Sequence, residues 1–209
     1  MRDHEYSIVG HSRTSIGRYL GTVAAVIVSV VTAASVGISN LADAAGLPLW
    51  TQTALVVPLS AGVTYWVVHF IFNRYGWKAL TWLSQLPDVS GRWDCEGETF
   101  DETGNVKFQW KATITISQNW EKIRVNLKSD NSGSNSLTAA LVPEPDGAWT
   151  LFYSYLNEPK IGEADLQRHT GYAEIQFAAG LKKAEGSYFN GRGRGTFGRM
   201  MLTRVNKNG

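Results

Sequence analysis

Two long stretches of this chain carry no formal charge. No Asp, Glu, Lys or Arg occurs from Tyr19 to Ala42, nor from Ala44 to Asn73. Uncharged runs of this length suit hydrocarbon, which is about 30 Å thick and takes roughly 20 apolar residues to cross as a helix. Tyr19–Ala42 would extend about 36 Å at roughly 1.5 Å per residue, enough to span with some tilt. Leu47–Phe72 is the second expected span. Pro58 lies inside it and, lacking a backbone N–H, predicts a kink there. Only Asp43-Ala44-Ala45-Gly46 separates the two spans, so they form an antiparallel hairpin.

Arg13 and Arg18 precede the first span, Arg74 and Lys78 follow the second, and the short connection has no basic residue. Basic residues stay on the cytoplasmic side, so both ends of the hairpin are expected there. Tyr65, Trp66, Tyr75, Trp77 and Trp82 cluster at the exit of the second span, as an interfacial aromatic belt does. A cleaved signal peptide ending near Ala42-Asp43-Ala44 fits less well, because the apolar run is too long and a second one follows. His69, about a turn from the end of its span, reads as an interfacial residue. Gly21, Ala25, Ser29, Ala33 and Gly37 recur every fourth residue of the first span. Small residues at this spacing let helix backbones approach closely in lipid. Their partner is either the second helix of the same chain or another copy.

From Pro87 onward the pattern changes to short runs of period two. Strands are expected over Gly91–Phe100, Val106–Ser117, Lys122–Ser129, Ser136–Val142, Trp149–Leu156, Thr170–Ala179, Ala184–Asn190 and Gly195–Val205. Turn-forming clusters such as Asp101-Glu102-Thr103-Gly104-Asn105 and Pro143-Glu144-Pro145-Asp146-Gly147 join them. Eight short strands with short turns predict an eight-stranded up-and-down antiparallel barrel, lipocalin-like in architecture. A barrel of this size is filled by side chains or holds one small ligand. The expected organisation is a cytoplasmic segment over 1–18, the transmembrane hairpin over 19–73, a junction over 74–87, the soluble barrel over 88–205 and a tail over 206–209.

Alternation says which side chains face inward. Phe108, Trp110, Ala112, Ile114 and Ile116 share one face of a strand whose other face is Lys107, Gln109, Lys111, Thr113 and Thr115. Apolar-in, polar-out order predicts water outside, unlike a membrane-embedded barrel. With the first strand starting beside the membrane, the connections at 101–105, 130–135, 157–169 and 191–194 gather at the far mouth. That mouth is expected to hold Arg192 and Arg194 in a Gly-Arg-Gly-Arg-Gly run, with Lys160 and Arg168 nearby. Arginine makes bidentate contacts to phosphate, and glycine-rich turns let backbone N–H groups approach an anion. Trp110, Tyr153 and Tyr155 point inward beneath them, with Phe108 nearer the rim. Bases stack on such rings. The candidate site is therefore Arg192 and Arg194 for phosphates, Trp110, Tyr153 and Tyr155 for bases, and Thr196 for a hydrogen bond near the rim. A solvated hairpin turn and a packed aromatic core would carry the same residues, and Glu158, Glu163 and Asp165 would offset the loop cations.

Enzymatic chemistry finds little support. The β domain has one histidine, His169, and no Gly-x-Ser-x-Gly elbow. No phosphate loop or dinucleotide-binding glycine pattern occurs. His4, His11, His69 and His169 lack metal-ligand spacing, and the single cysteine, Cys95, fits a reducing compartment. No cofactor and no metal are expected. A net charge of +2 argues against a polynucleotide partner.

The two spans, the Asp88-Val89-Ser90-Gly91-Arg92-Trp93 opening and a barrel ending near Arg204 together resemble the two-transmembrane β-barrel effectors of CBASS, the cyclic-oligonucleotide-based anti-phage signalling systems of bacteria. Gly91-x-Trp93 also resembles the opening of lipocalins, where the Trp closes the barrel floor under a basic residue of the last strand; Arg204 is placed for that part. The effector resemblance implies a cyclic dinucleotide as ligand and the inner membrane as location. It also implies homo-oligomerisation on activation, with the Gly21-to-Gly37 ridge as the mediator, and membrane disruption that ends in abortive infection. Two other readings remain open at this point: a membrane-tethered lipocalin-like carrier of an apolar molecule, and an adaptor with a packed interior.

Overall fold

The computed structural model describes residues 3–10, 12–48, 60–80, 86–160, 167–191 and 195–205. The chain divides into two compact units, Ser12–Gln85 on one hand and Met1–His11 with Leu86–Gly209 on the other.

The first unit is helical. Helix α1 runs over Arg13–Ala44, longer at both ends than the uncharged stretch. It is long and apolar enough to cross a membrane, and little of it is buried. Gly46 ends it at φ +71°, a conformation costly for other residues. Gly46 N–H donates to Asp43 O at 2.9 Å and Leu47 N–H to Ala42 O at 3.0 Å, so the last carbonyls are satisfied by the left-handed turn. Helix α2 covers Ala61–Ile71 and continues through a wider π-turn over Phe72–Gly76 into Trp77–Ala79. Pro58 and the first half of the expected second span, from Leu49 to Leu59, lie outside the described residues. Ser60 has extended backbone and caps α2, its Oγ accepting from Val63 N–H at 3.1 Å. The described part of the second span thus begins with a helix capped at Ser60, and the expected kink at Pro58 lies outside the described residues.

Helices α1 and α2 pack together. Ile16, Leu20, Ala24, Ser35 and Ala42 are the buried residues of α1. The small-residue row does not follow that face. A four-residue step turns about 40° further than one helical turn, so the row winds around the helix. Gly21 is half-buried, whereas Ala25, Ser29, Ala33 and Gly37 are exposed.

The second unit is a closed antiparallel barrel. Eight strands build it: β3 (Gly91–Phe100), β4 (Val106–Gln118), β5 (Lys122–Ser129), β6 (Ser132–Pro143), β7 (Trp149–Pro159), β8 (His169–Phe177), β9 (Lys183–Asn190) and β10 (Phe197–Arg204). Each pairs with its sequence neighbours, and β10 closes onto β3. The expected strands all occur, with β6 and β7 longer than their apolar runs. One join is incomplete: β5 meets β6 only through Asn126–Lys128 and Gly133–Asn135. Below that, two short strands of the N-terminal segment fill the gap. His4–Glu5 (β1) pairs with β5 and Ser7–Ile8 (β2) pairs in parallel with β6. Tyr6 and Ile8 are buried there. Tyr6 Oη donates to Asn119 O at 3.1 Å, and Val9 N–H donates to Leu141 O at 3.0 Å. Glu5, Tyr6, Ser7 and Ile8 alternate out and in over too few residues to mark a strand alone; the unpaired edges of β5 and β6 supply the reason the segment is extended.

The end of the barrel near the start of β3 is closed. Trp93 is fully buried, its Nε1–H donates to Val89 O at 3.2 Å, and Phe177 lies 5.2 Å away. The Arg204 guanidinium sits 5.4 Å over the Trp93 ring and donates to the carbonyls of Asp88 and Ser90. Gly91, at φ +133°, leaves space for that guanidinium 3.5 Å from where a Cβ would be. The lipocalin-like floor expected from Gly91, Trp93 and Arg204 is present. Ile114, Ile123, Leu141, Leu151 and Ile175 fill the space above it.

Candidate functional site

Toward the opposite end the filling stops and an open cavity of about 1120 Å³ begins. Ordinary small-molecule pockets occupy roughly 300–1,000 Å³, so this one admits a large ligand. Its existence follows from three register pairs. Trp110 lies opposite Gly97, Tyr155 opposite Gly171 and Tyr188 opposite Gly198. In each pair the ring lies down on the glycine. A Cβ on Gly97 would sit 2.2 Å from the Trp110 indole, one on Gly171 2.4 Å from the Tyr155 phenol, and one on Gly198 2.8 Å from the Tyr188 ring. Large inward side chains therefore line the wall instead of crossing the lumen, and present ring faces to it.

The hydroxyls and amides of the wall are tied to one another. Trp110 Nε1–H donates to Tyr188 Oη at 3.2 Å, and that oxygen is 2.6 Å from Thr99 Oγ1. Tyr155 Oη donates to Asn190 Oδ1 at 2.8 Å, and Asn190 Nδ2 donates to Thr196 Oγ1 at 2.8 Å. The tip of the β5–β6 hairpin contributes Ser129, Ser132 and Ser134. Among the described strand residues no inward position at this end is Asp, Glu, Lys or Arg; Glu96, Glu98, Lys111, Glu185 and Arg199 also border the cavity but alternate outward, and Asp130 sits at the hairpin tip. A neutral wall of rings, hydroxyls and amides suits hydrogen-bonding aromatic heterocycles better than alkyl chains, which would leave those polar groups without partners.

Of the residues expected from sequence, Trp110, Tyr153, Tyr155 and Thr196 line this one cavity. Tyr153 is only 3 % exposed and lies deeper, beside Tyr155 with ring centroids 6.0 Å apart. Burial is the main influence on its phenol, with Tyr155 next, and both push its pKa well above the ordinary tyrosine range. It stays neutral and serves as wall. Arg192 and Arg194 lie outside the described residues. Arg168 forms an exposed ion pair with Glu158 at 3.4 Å, and Lys160 donates to Asp130 O at the hairpin tip. Tyr188 was not among the sequence candidates, nor was Asn190. The signal for Tyr188 is present in the sequence only as an inward position opposite Gly198, and reading it needs the β9–β10 register.

Cys95 is buried below the cavity, where desolvation first and Glu96 second push its thiol up to about 12. It offers neither nucleophile nor metal ligand at neutral pH.

Similarity to known proteins agrees with this division. Residues 84–204 match the family described as Cap15, cyclic dinucleotide receptor domain, and residues 14–78 match Cap15, TM helices. A protein of Yersinia aleksiciae named CD-NTase-associated protein 15 is 35 % identical over 213 residues, covering 98 % of this chain and 99 % of that one. A protein of the same name from Staphylococcus schleiferi is 25 % identical over 135 residues, covering 65 % of this chain and 70 % of that one.

Proposed function

The chain belongs to the Cap15 family of CBASS effectors, with a cyclic dinucleotide receptor domain joined to transmembrane helices, and we propose that the mouth of its barrel is where the dinucleotide binds. The observation that carries this is the set of three rings laid on glycines around an open cavity whose inward strand side chains carry no charge. The bases stack on Trp110, Tyr155 and Tyr188 inside the lumen, and their edges exchange hydrogen bonds with Asn190, Thr196 and the serines of the β5–β6 tip. The phosphates stay at the rim, because the wall below offers them no cation. Arg192 and Arg194 are assigned to them, with Lys160 and Arg168 as nearby positive charge. The polar wall speaks against an apolar cargo, and the open lumen against an adaptor with a packed interior.

Ligand binding then drives copies to associate in the inner membrane through their helices, and the assembled helices disrupt the bilayer. Arg13, Arg18, Arg74 and Lys78 support a cytoplasmic barrel, where a soluble messenger reaches it. The exposure of Ala25, Ser29, Ala33 and Gly37 supports a helix contact between copies rather than within one. Calorimetric titration of the detergent-solubilised full chain with a panel of cyclic dinucleotides tests the receptor role. Saturable heat with at least one member, abolished by Trp110→Ala with Tyr188→Ala, is expected. No binding by any member ends this reading.

A further inference from the structure

The outer wall of the barrel carries an apolar band where its alternation predicts polar residues. Tyr172, Phe189, Phe197, Phe100 and Val106 sit on five consecutive strands, β8, β9, β10, β3 and β4. They are joined in register: Tyr172 opposite Phe189, Phe189 opposite Phe197, Phe197 opposite Phe100, Phe100 opposite Val106. Ring centroids are 5.5 Å apart for Tyr172 and Phe189 and 6.0 Å apart for Phe100 and Phe197, and Phe152 extends the row at 6.4 Å from Tyr172. Tyr172, Phe189, Phe197 and Val106 are 36, 55, 41 and 49 % exposed. The neighbouring outward positions are charged in the ordinary way, with Glu98 and Arg199 paired at 2.6 Å and Lys111 and Glu96 at 3.1 Å. Scattered apolar side chains on a surface mean little, but a contiguous row marks a contact.

We propose that this band is a second self-association face, through which barrels of neighbouring copies meet side by side. The occupant follows from area. At about 200 Å² for a whole aromatic side chain, the four exposed residues offer on the order of 350 Å². Two copies facing each other would bury roughly 700 Å² from this row, short of the roughly 1,200 Å² at which free-standing interfaces begin to be stable. A soluble partner would gain too little from so small a face. A second copy tethered in the same bilayer gains enough, because tethering raises its effective concentration without any new contact. The band also lies next to the cavity in the chain. Phe189 precedes Asn190 and Phe197 follows Thr196, and Asn190 and Thr196 are hydrogen-bonded to each other across the β9–β10 connection through both backbone and side chain. A ligand held by Asn190 and Thr196 fixes the two strand ends that carry the centre of the band. That link rests on the proposed receptor site; the face itself does not.

The test is cysteine crosslinking of the full chain in liposomes. Cys95 is buried and silent, so single cysteines can be placed in the native background. Phe197→Cys, at the centre of the band, is compared with Lys111→Cys, an outward position away from it, and Tyr172→Cys serves as a second band position should Phe197→Cys fold poorly. Several-fold more crosslinked dimer at the band than at Lys111, lost when Phe189→Ser is added, is expected. Equal crosslinking at the two places overturns the proposal. So does a band cysteine that is shielded from maleimide by lipid yet forms no dimer. Calorimetry on the same variants separates the two ideas: crosslinking at the band in a chain that binds no cyclic dinucleotide keeps the face and ends the receptor reading, and binding without preferential crosslinking does the reverse.

Discussion

Gly97 and Trp110 show how one missing Cβ makes a cavity. The nearest atoms to a Cβ on Gly97 all belong to the Trp110 ring, so Gly97→Ala displaces the indole and leaves the backbone alone. Base stacking on an aromatic side chain contributes about 1–3 kcal/mol. Gly97→Ala is therefore expected to weaken cyclic dinucleotide binding tenfold or more in calorimetry while the melting temperature changes little. Gly198 behaves differently, since its Cβ would fall 1.9 Å from the Glu98 carbonyl oxygen; Gly198→Ala unfolds the wall. Cys95 gives a pH-dependent prediction. Burial raises its thiol to about 12, so the reactive thiolate is nearly absent at pH 8 and forms only as pH approaches that value. The folded chain should resist maleimide at pH 8 and react rapidly once denatured, as mass spectrometry would record. Rapid labelling of the folded chain would contradict the buried position.

Among the elements, the N-terminal strands have the largest consequence. They close the seam that β5 and β6 leave open, and Ser136 ties the parts together. His4 Nε2 lies 2.7 Å from Ser136 Oγ, and Val125 N–H donates to the same oxygen at 2.9 Å. Tyr6→Ala removes a buried ring and its hydrogen bond to Asn119, a loss of about 3–5 kcal/mol by analogy with other large aromatic truncations. Hydrogen exchange should then speed up at Val9 and Val125 before the rest of the barrel. Unchanged exchange there would mean that the segment does not hold the seam. In helix α1, Ser29 is exposed and its Oγ donates only to Ala25 O of its own helix, at 2.9 Å. Ser29→Leu is expected to block ligand-induced oligomers in detergent while the barrel still binds ligand, because the bulky side chain obstructs close helix approach and spares the face that meets α2. Oligomers of unchanged size would remove the ridge from assembly.

At the level of the whole chain, the barrel is asymmetric from end to end. The Trp93–Arg204 floor and the aliphatic layer above it are packed, and the mouth is open. Within the barrel unit, β2 runs toward Pro143 beside β6 and β3 begins at Gly91, both at the packed end. A ligand shifts assembly only by binding the assembled form more tightly than the dispersed one. Where sites are linked in this way the effect is reciprocal. Variants that block assembly, such as Ser29→Leu, should therefore bind the dinucleotide somewhat more weakly when measured in membranes than the parent does.

Much of this was legible in the chain itself. Uncharged runs of bilayer length and a switch to period-two alternation after Pro87 follow from solvation alone, and each is local, so the helices and the eight strands could be read without knowing their partners. Alternation also placed Trp110, Tyr153 and Tyr155 on the inner face, and the resemblance to lipocalins placed Gly91, Trp93 and Arg204 at the floor. What required the folded molecule was anything set by cross-strand register. Local sequence does not say that Trp110 meets Gly97 or Tyr188 meets Gly198, and those meetings decide whether a ring fills the lumen or lines it. Nor does it say that residues 4–8 become strands, because their order comes from edges supplied more than a hundred residues away. The outer aromatic row is the same case: five unremarkable residues, spaced along the chain, become one surface only when closure of the sheet sets them side by side.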